Sequence, residues 1–261
     1  MKKAVPRSKS YIAGVAISWI AVFAAIVGFT NLVPVFPYFG GGGYFPLAVV
    51  LAGVAGFVLG PWAGAIAAFI GGVIGIFITP AAYPMYILDA AQVAMFPALF
   101  VGLAVNGHKH WKIFGTIYVI WWVLFNLIPF YFPGEAMGFE APPQPLYFLM
   151  TCYYVVPWLA IYLSPIGTKY LPQWARSEDL TKHTGGVFLA SLIAFMCYYA
   201  SVTFWIYWYW LGYPYDLVLV QSLYYYSWVE WVFAILTTII TVPVIRALKR
   251  SGFLSPPEAI W

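Results

Sequence analysis

The chain has 261 residues, 64% hydrophobic and 8% charged, where a soluble domain carries about 25% charged residues. That balance excludes a sizeable soluble domain and predicts a single all-α, polytopic transmembrane helix bundle over 1–261, a multi-pass protein of the cell membrane. The net charge of +4 does not point to nucleic acid, because the basic residues stand at the ends of apolar runs, and Cys152 and Cys197 lie inside such runs without the spacing of a disulfide framework or a metal motif.

Lys2, Lys3, Arg7 and Lys9 precede an apolar run over 11–32. A signal peptide has an apolar core of only ~7–15 residues, so this longer run reads as a first transmembrane helix. It carries small residues four apart at Gly14/Ser18 and Ala21/Ala25. VPVFPYFGGGGYF follows over 33–45, and its prolines and consecutive glycines exclude regular helix. With Phe39, Gly41, Gly42 and Tyr44 at its centre, this loop is suited either to lie at the membrane surface on aromatic anchors or to close over a site.

From Phe45 to Thr79 the chain has no charge. It reads as two helices, 46–60 and 62–79, broken at Gly60-Pro61, with Gly just past one helix and Pro at the start of the next. Ala48, Ala52, Gly56 and Gly60 share a face of the first helix. Gly64, Ala68 and Gly72 share a face of the second, with Gly71 and Gly75 beside them. This spacing lets backbones approach closely in lipid. At 1.5 Å per residue the first arm is about 22 Å long, short of a core of ~30 Å.

Further apolar runs lie near 86–105, 113–132, 146–164, 185–211 and 219–247, which brings the expected count to about eight spans. With both termini cytoplasmic, all 12 Lys and Arg fall on one side, and only Glu135, Glu140 and Asp216 on the other.

No G-x-x-x-x-G-K-[ST], H-E-x-x-H or G-x-S-x-G pattern occurs, so neither nucleotide binding nor a familiar hydrolase is expected. His108, His110 and His183 read as cytoplasmic loop residues, which excludes a bis-histidine haem. The expectation is a protein that is not an enzyme and carries no cofactor or metal. Intramembrane acids remain. Asp89 stands near a helix start, where the backbone dipole favours an acid. Glu230, in YYYSWVEW over 224–231, lies deeper and far in sequence from any cation; an acid at a helix centre costs about 2.5–3.5 kcal/mol on insertion scales. Its alternative is a protonated side chain bonded to a neighbouring helix. Gln92, Asn126 and Gln221 are the other polar groups at this depth. Aromatic residues form 21% of the chain and cluster over 198–210 and 224–231, as an interfacial belt or as the lining of a pocket for a flat or cationic ligand. Tyr226 and Phe233 share the helical face of Glu230, Trp231 points about 100° away, and Trp228 is close in sequence.

A basic start, a first helix with Ala21 and Ala25, a Gly/Pro/aromatic loop and then LAGVAGFVLGPWAGAIAAFIGGVIG form an order that resembles the substrate-binding membrane subunits (S components) of energy-coupling factor transporters. TVPVIRALKR over 241–250 is similar to the cytoplasmic end of their last helix. The resemblance covers 11–105 and the final helix. It implies capture of a vitamin or related micronutrient from outside, with a transmembrane coupling subunit and two ATPase subunits as partners. It also implies a lid at 33–45 and a docking face at Ala21 and Ala25, with Gly14 and Ser18 as a substitute pair. The usual S component has six spans, so the added pair falls between 112 and 184. The expected function is a substrate-capture subunit that binds a small flat or cationic organic molecule through Glu230, Tyr226, Asp89 and Trp228. The alternatives are an accessory subunit that packs partners or lipids through its aromatic faces, and a stand-alone carrier or channel that uses Glu230.

Overall fold

A computed structural model describes residues 11–38, 42–122, 144–204, 214, 217 and 226–261, and they are mostly helical. The first difference from expectation is at the start. Residues 11–16 form a tight hairpin of β1 (Tyr11–Ile12) and β2 (Val15–Ala16), turned at Ala13 and Gly14, both with positive φ (49° and 77°). Gly14 therefore does not stand one helical turn before Ser18. Helix α1 runs from Ile17 to Thr30.

The loop after α1 is also more ordered than its glycines imply. β3 (Pro34–Pro37) pairs antiparallel with β4 (Tyr44–Pro46), with an irregularity between Pro34 and Phe36. Prolines suit these two-stranded edges because an edge strand does not need every N–H. These two small sheets are the described exceptions to an all-α chain.

Helix α2 (Ala48–Leu59) and α3 (Pro61–Ile78) meet at Gly60, whose φ of 81° is left-handed and open to glycine at little cost. Next come a 3₁₀ turn (Pro80–Ala82) and α4 (Ile87–Val105), which contains a π-helical stretch, Ala90–Met95. The small-residue spacing is used within the chain. Ala48 and Ala52 of α2, Ala68 of α3 and Ala94 and Ala98 of α4 form one buried cluster with Val27 of α1. A Cβ at Gly56 would collide with the carbonyl oxygen of Ala98, so α2 and α4 approach as closely as backbones can.

Helix α5 (Gly107–Trp122) starts six residues before the expected 113. Asn106 is the reason: its carbonyl accepts the N–H groups of Lys109 (2.8 Å) and His110 (3.0 Å) and restarts the helix at once. His108 and His110 are thus first-turn helical residues, not loop residues. Helix α6 (Gln144–Leu163), a π turn (Ile166–Tyr170) and the short α7 (Leu171–Ala175) lead to α8 (Leu180–Phe204). Asp179 caps α8 by accepting the Lys182 N–H at 2.9 Å. His183 lies on the first turn of α8, is 2% exposed and has Nδ1 2.7 Å from the Ala175 carbonyl oxygen. It too corrects the loop assignment. Helix α9 (Tyr226–Ser251) is the last.

Among the described residues, four helical stretches are long and apolar enough to cross a membrane: Pro61–Ile78, Ile87–Val105, Leu180–Cys197 and Ser227–Ser251. Ile17–Thr30 and Ala48–Leu59 are apolar but shorter. The described Lys and Arg gather at one end of the bundle, where α5 and α8 begin and α4 and α9 finish. The β3–β4 hairpin lies at the other end.

Candidate functional site

Glu230 sits in the second turn of α9 on a wholly buried stripe with Phe233, Ala234, Thr237 and Thr241. Spacings of three, four, seven and eleven residues keep these side chains on one helical face. That face meets α2 and α8. Thr237 Oγ1 donates to the Val50 carbonyl oxygen at 3.5 Å, and the Phe233 ring tilts against Phe195 at 5.8 Å. It also meets the hairpin. Phe36 of β3 lies edge-on to Phe233 (5.7 Å) and to Trp228 (5.4 Å), and Phe45 of β4 lies 6.0 Å from Phe233. Glu230 falls between Trp228 and Phe233 in sequence, and Phe36 touches both.

Both carboxyl oxygens of Glu230 are buried with no hydrogen-bond partner on any other described residue. An unpartnered carboxyl in apolar surroundings opposes folding. Its position makes it a ready acceptor for a cation or an N–H donor that arrives from elsewhere.

Asp89 is in a different situation. It is 4% exposed, sits in the first turn of α4 and accepts the Met85 N–H at 2.5 Å. This is the local role that an acid at a helix start can play. Around it runs a polar cluster with no motif in the sequence. The Tyr83 hydroxyl donates to Asn31 Oδ1 at 2.5 Å. Asn31 Nδ2 faces the carbonyls of Val27 (3.0 Å), Gly28 (3.1 Å) and Gly71 (3.3 Å), which ties α1 to α3. Burial, and then the nearby Asp89, push the Tyr83 phenol well above its ordinary range. The hairpin is fastened to this cluster by its tyrosines: Tyr44 donates to the Asn31 carbonyl at 3.0 Å and Tyr38 to the Ala82 carbonyl at 2.9 Å. Asn31, Tyr38 and Tyr83 escaped the sequence reading, since a lone Asn at the end of an apolar run carries no pattern.

The remaining expected residues fall as follows. Trp228 is 42% exposed, with its ring edge-on to Phe36. Tyr226 opens α9, and its side chain lies outside the described residues, as do Phe39 and Gly41, Asn126 and Gln221. Gly42 is exposed at a φ of 78° at the hairpin turn, while Tyr44 is an anchor on Asn31. Trp231 points away from Glu230, its Nε1 donating to the Tyr153 hydroxyl at 3.2 Å. Ala21 is exposed and Ala25 half-buried, while Phe23, Ala24 and Val27 of α1 are buried. Comparison with protein-family profiles, with curated proteins and with solved structures gives no match to this chain.

Proposed function

We propose that this chain is a multi-pass protein of the cell membrane, with about eight spans and both termini cytoplasmic, that captures a small flat or cationic organic molecule beneath the β3–β4 hairpin. In this reading Glu230 supplies the counter-charge, and Trp228 and Tyr226 flank it. Asp89 is reassigned to holding the helix start beneath the hairpin. A transmembrane coupling subunit, docked on the outward face of α1 at Ala21 and Ala25, and its ATPases would drive release, since the sequence carries no nucleotide motif of its own. One observation carries the proposal. Glu230 is fully buried, has no partner on any other described residue and lies one turn from a ring that the aromatic hairpin covers.

The test is Glu230→Gln, which keeps shape and hydrogen bonding but removes the charge. Binding across a panel of cationic micronutrients should weaken more than tenfold, equivalent to about 1.4 kcal/mol or more, with little change in thermal stability. Unchanged affinity, or a ligand that proves anionic, removes Glu230 from the site. Single cysteines at Gly42 and Lys109 should label from opposite faces of the membrane. Native mass spectrometry that finds large stable subunits without ATPases would favour the accessory-subunit role.

A further inference from the structure

At the basic end, a groove of about 560 Å³ opens between the first turn of α5 and the 166–176 segment, lined by His108, Thr168, Lys169, Pro172, Gln173 and Arg176. Its charge is unbalanced. Arg176 Nη1 donates to the carbonyls of Val105 (3.1 Å) and Pro172 (3.2 Å), and Nη2 to Asn106 Oδ1 (2.6 Å), so every partner is a neutral oxygen. The carboxylates nearby are bonded elsewhere: Glu258 to His110 Nε2 at 2.7 Å and Glu178 to Lys249 at 2.8 Å. Burial pulls the Arg176 pKa down against the raising effect of Glu258, and burial followed by the Arg176 and Lys109 charges pulls that of His108 down. The Nε–H and the second Nη2–H of Arg176 have no partner among the described residues. Fork-shaped donors of this kind match phosphate geometry.

A second groove lies further along the same helix. Along α5, Lys112, Gly115, Thr116 and Val119 follow His108 at helical spacing. With Leu163 of α6 they line a second groove of about 450 Å³ that is mostly apolar. Trp111, Tyr170 and Leu163 stand exposed around it, and Lys112 and Lys169 lie 5.5 Å from the Trp111 and Tyr170 rings. Lys and Arg beside exposed Trp and Tyr are the side chains of a headgroup-level interface. A basic groove and an apolar one set along a single helical stripe have the layout of a phospholipid, headgroup first and acyl chain beyond.

We propose that these two grooves together bind one anionic phospholipid, its phosphate against Arg176, Lys169 and His108 and an acyl chain along Gly115, Val119 and Leu163. The site rests on the membrane location proposed above and not on any ligand at Glu230, so either can fail alone. Basic pockets between helices on the cytoplasmic side are suited to such headgroups.

The test is retention of phosphatidylglycerol against phosphatidylcholine by the full chain in detergent, read by native mass spectrometry. The double variant Lys169→Gln, Gln173→Glu alters two exposed side chains and leaves the Arg176 bonds intact. Phosphatidylglycerol should be retained at least tenfold over phosphatidylcholine. The variant should lose about thirtyfold, as two charge units at a membrane surface imply. Glycerol phosphate, the headgroup without chains, should compete poorly. Competition by glycerol phosphate at equal concentration would show a soluble phosphate site and overturn the lipid assignment. Equal retention of the two lipids, or no loss in the variant, would overturn the site.

Discussion

The two ends of the bundle are covered in different ways. At the basic end the cover is a hydrogen-bonded network, although the buried His183 Nε2 has no partner among the described residues. Asn106 Nδ2 reaches the carbonyls of Gly102 and Glu258 at 2.9 Å each, and Arg176 fixes its oxygen. Lys249 reaches the Arg176 carbonyl at 3.2 Å. The 252–261 segment then folds back over this end. The Ile260 N–H donates to the Phe57 carbonyl at 3.2 Å, Trp261 Nε1 donates to the Val58 carbonyl at 3.0 Å, and the Trp261 ring meets Trp19 at 5.9 Å. At the hairpin end the cover is mostly aromatic contact, with a few tyrosine hydroxyls as fasteners, and beneath it sits the Glu230 carboxyl, which has no partner among the described residues. Aromatic contacts reform readily after separation, whereas a network of buried hydrogen bonds opens only at a cost of about 1–3 kcal/mol for each group left bare. In the function proposed above, the basic end stays closed and the hairpin end opens over Glu230 to admit a ligand.

The largest expected effect lies at the closed end. Asn106→Ala strips Arg176 of a side-chain acceptor and the Glu258 carbonyl of a donor, and should lower unfolding stability by about 3 kcal/mol. Reversible unfolding of the purified protein in detergent measures it. A loss below about 1 kcal/mol would mean that the network is decorative and that the two ends do not differ in this way.

Glu230→Leu should act with the opposite sign. Replacing an unpartnered buried carboxyl by an apolar side chain of similar length removes a group that opposes folding, and should raise stability by about 1–2 kcal/mol while abolishing capture. If the same unfolding experiment shows a loss as large as that of Asn106→Ala, Glu230 is a helix-joining hydrogen-bond partner, and the hairpin end is closed like the other.

Both ends were partly legible beforehand. The Gly60-Pro61 break and the close-packed spacing of Ala48, Ala52, Gly56 and Ala68 were readable because they depend on local conformation and on a fixed four-residue period. Glu230 stood out because an acid inside an apolar run is conspicuous whatever packs on it. The network around Asn106 and Arg176 was not readable, because its partners are separated by about seventy or more positions and neither residue type signals a pairing. The start of α5 was placed late for another reason. His108, Lys109 and His110 look like loop residues by polarity, which masks the local bonds from the Lys109 and His110 N–H groups to the Asn106 carbonyl that begin the helix beneath them. The hairpin's order was hidden by its glycines, since the tyrosine anchors act on carbonyls far away in sequence.

Tyr83→Phe probes the boundary between the two kinds of end. It leaves Asn31 Oδ1 buried without its donor and should cost about 1–2 kcal/mol. The phenol's pKa is raised in the folded state, so its contribution is present below the unfolded value of about 10 and is lost as pH climbs past it. The variant should therefore also flatten the fall in stability above about pH 10. An unchanged alkaline profile would show that other groups carry that fall.

The smallest stability effect belongs to Tyr44→Phe, and it separates covering from fastening. The hydroxyl donates to the Asn31 carbonyl at the edge of the hairpin, where the side chain is only half-buried. Losing that bond should cost no more than about 0.5–1 kcal/mol of unfolding stability, since water can replace the donor. If the hairpin opens as a unit to admit a ligand, the same bond must break each time. Its removal should then speed both association and release by about three- to fivefold, with the equilibrium affinity nearly unchanged. Stopped-flow binding of a fluorescent ligand reads the two rates. A rise in both identifies the hairpin as the moving cover. A rise in release alone would place Tyr44 in contact with the bound molecule, and unaltered rates would mean that the ligand reaches Glu230 without passing the hairpin at all.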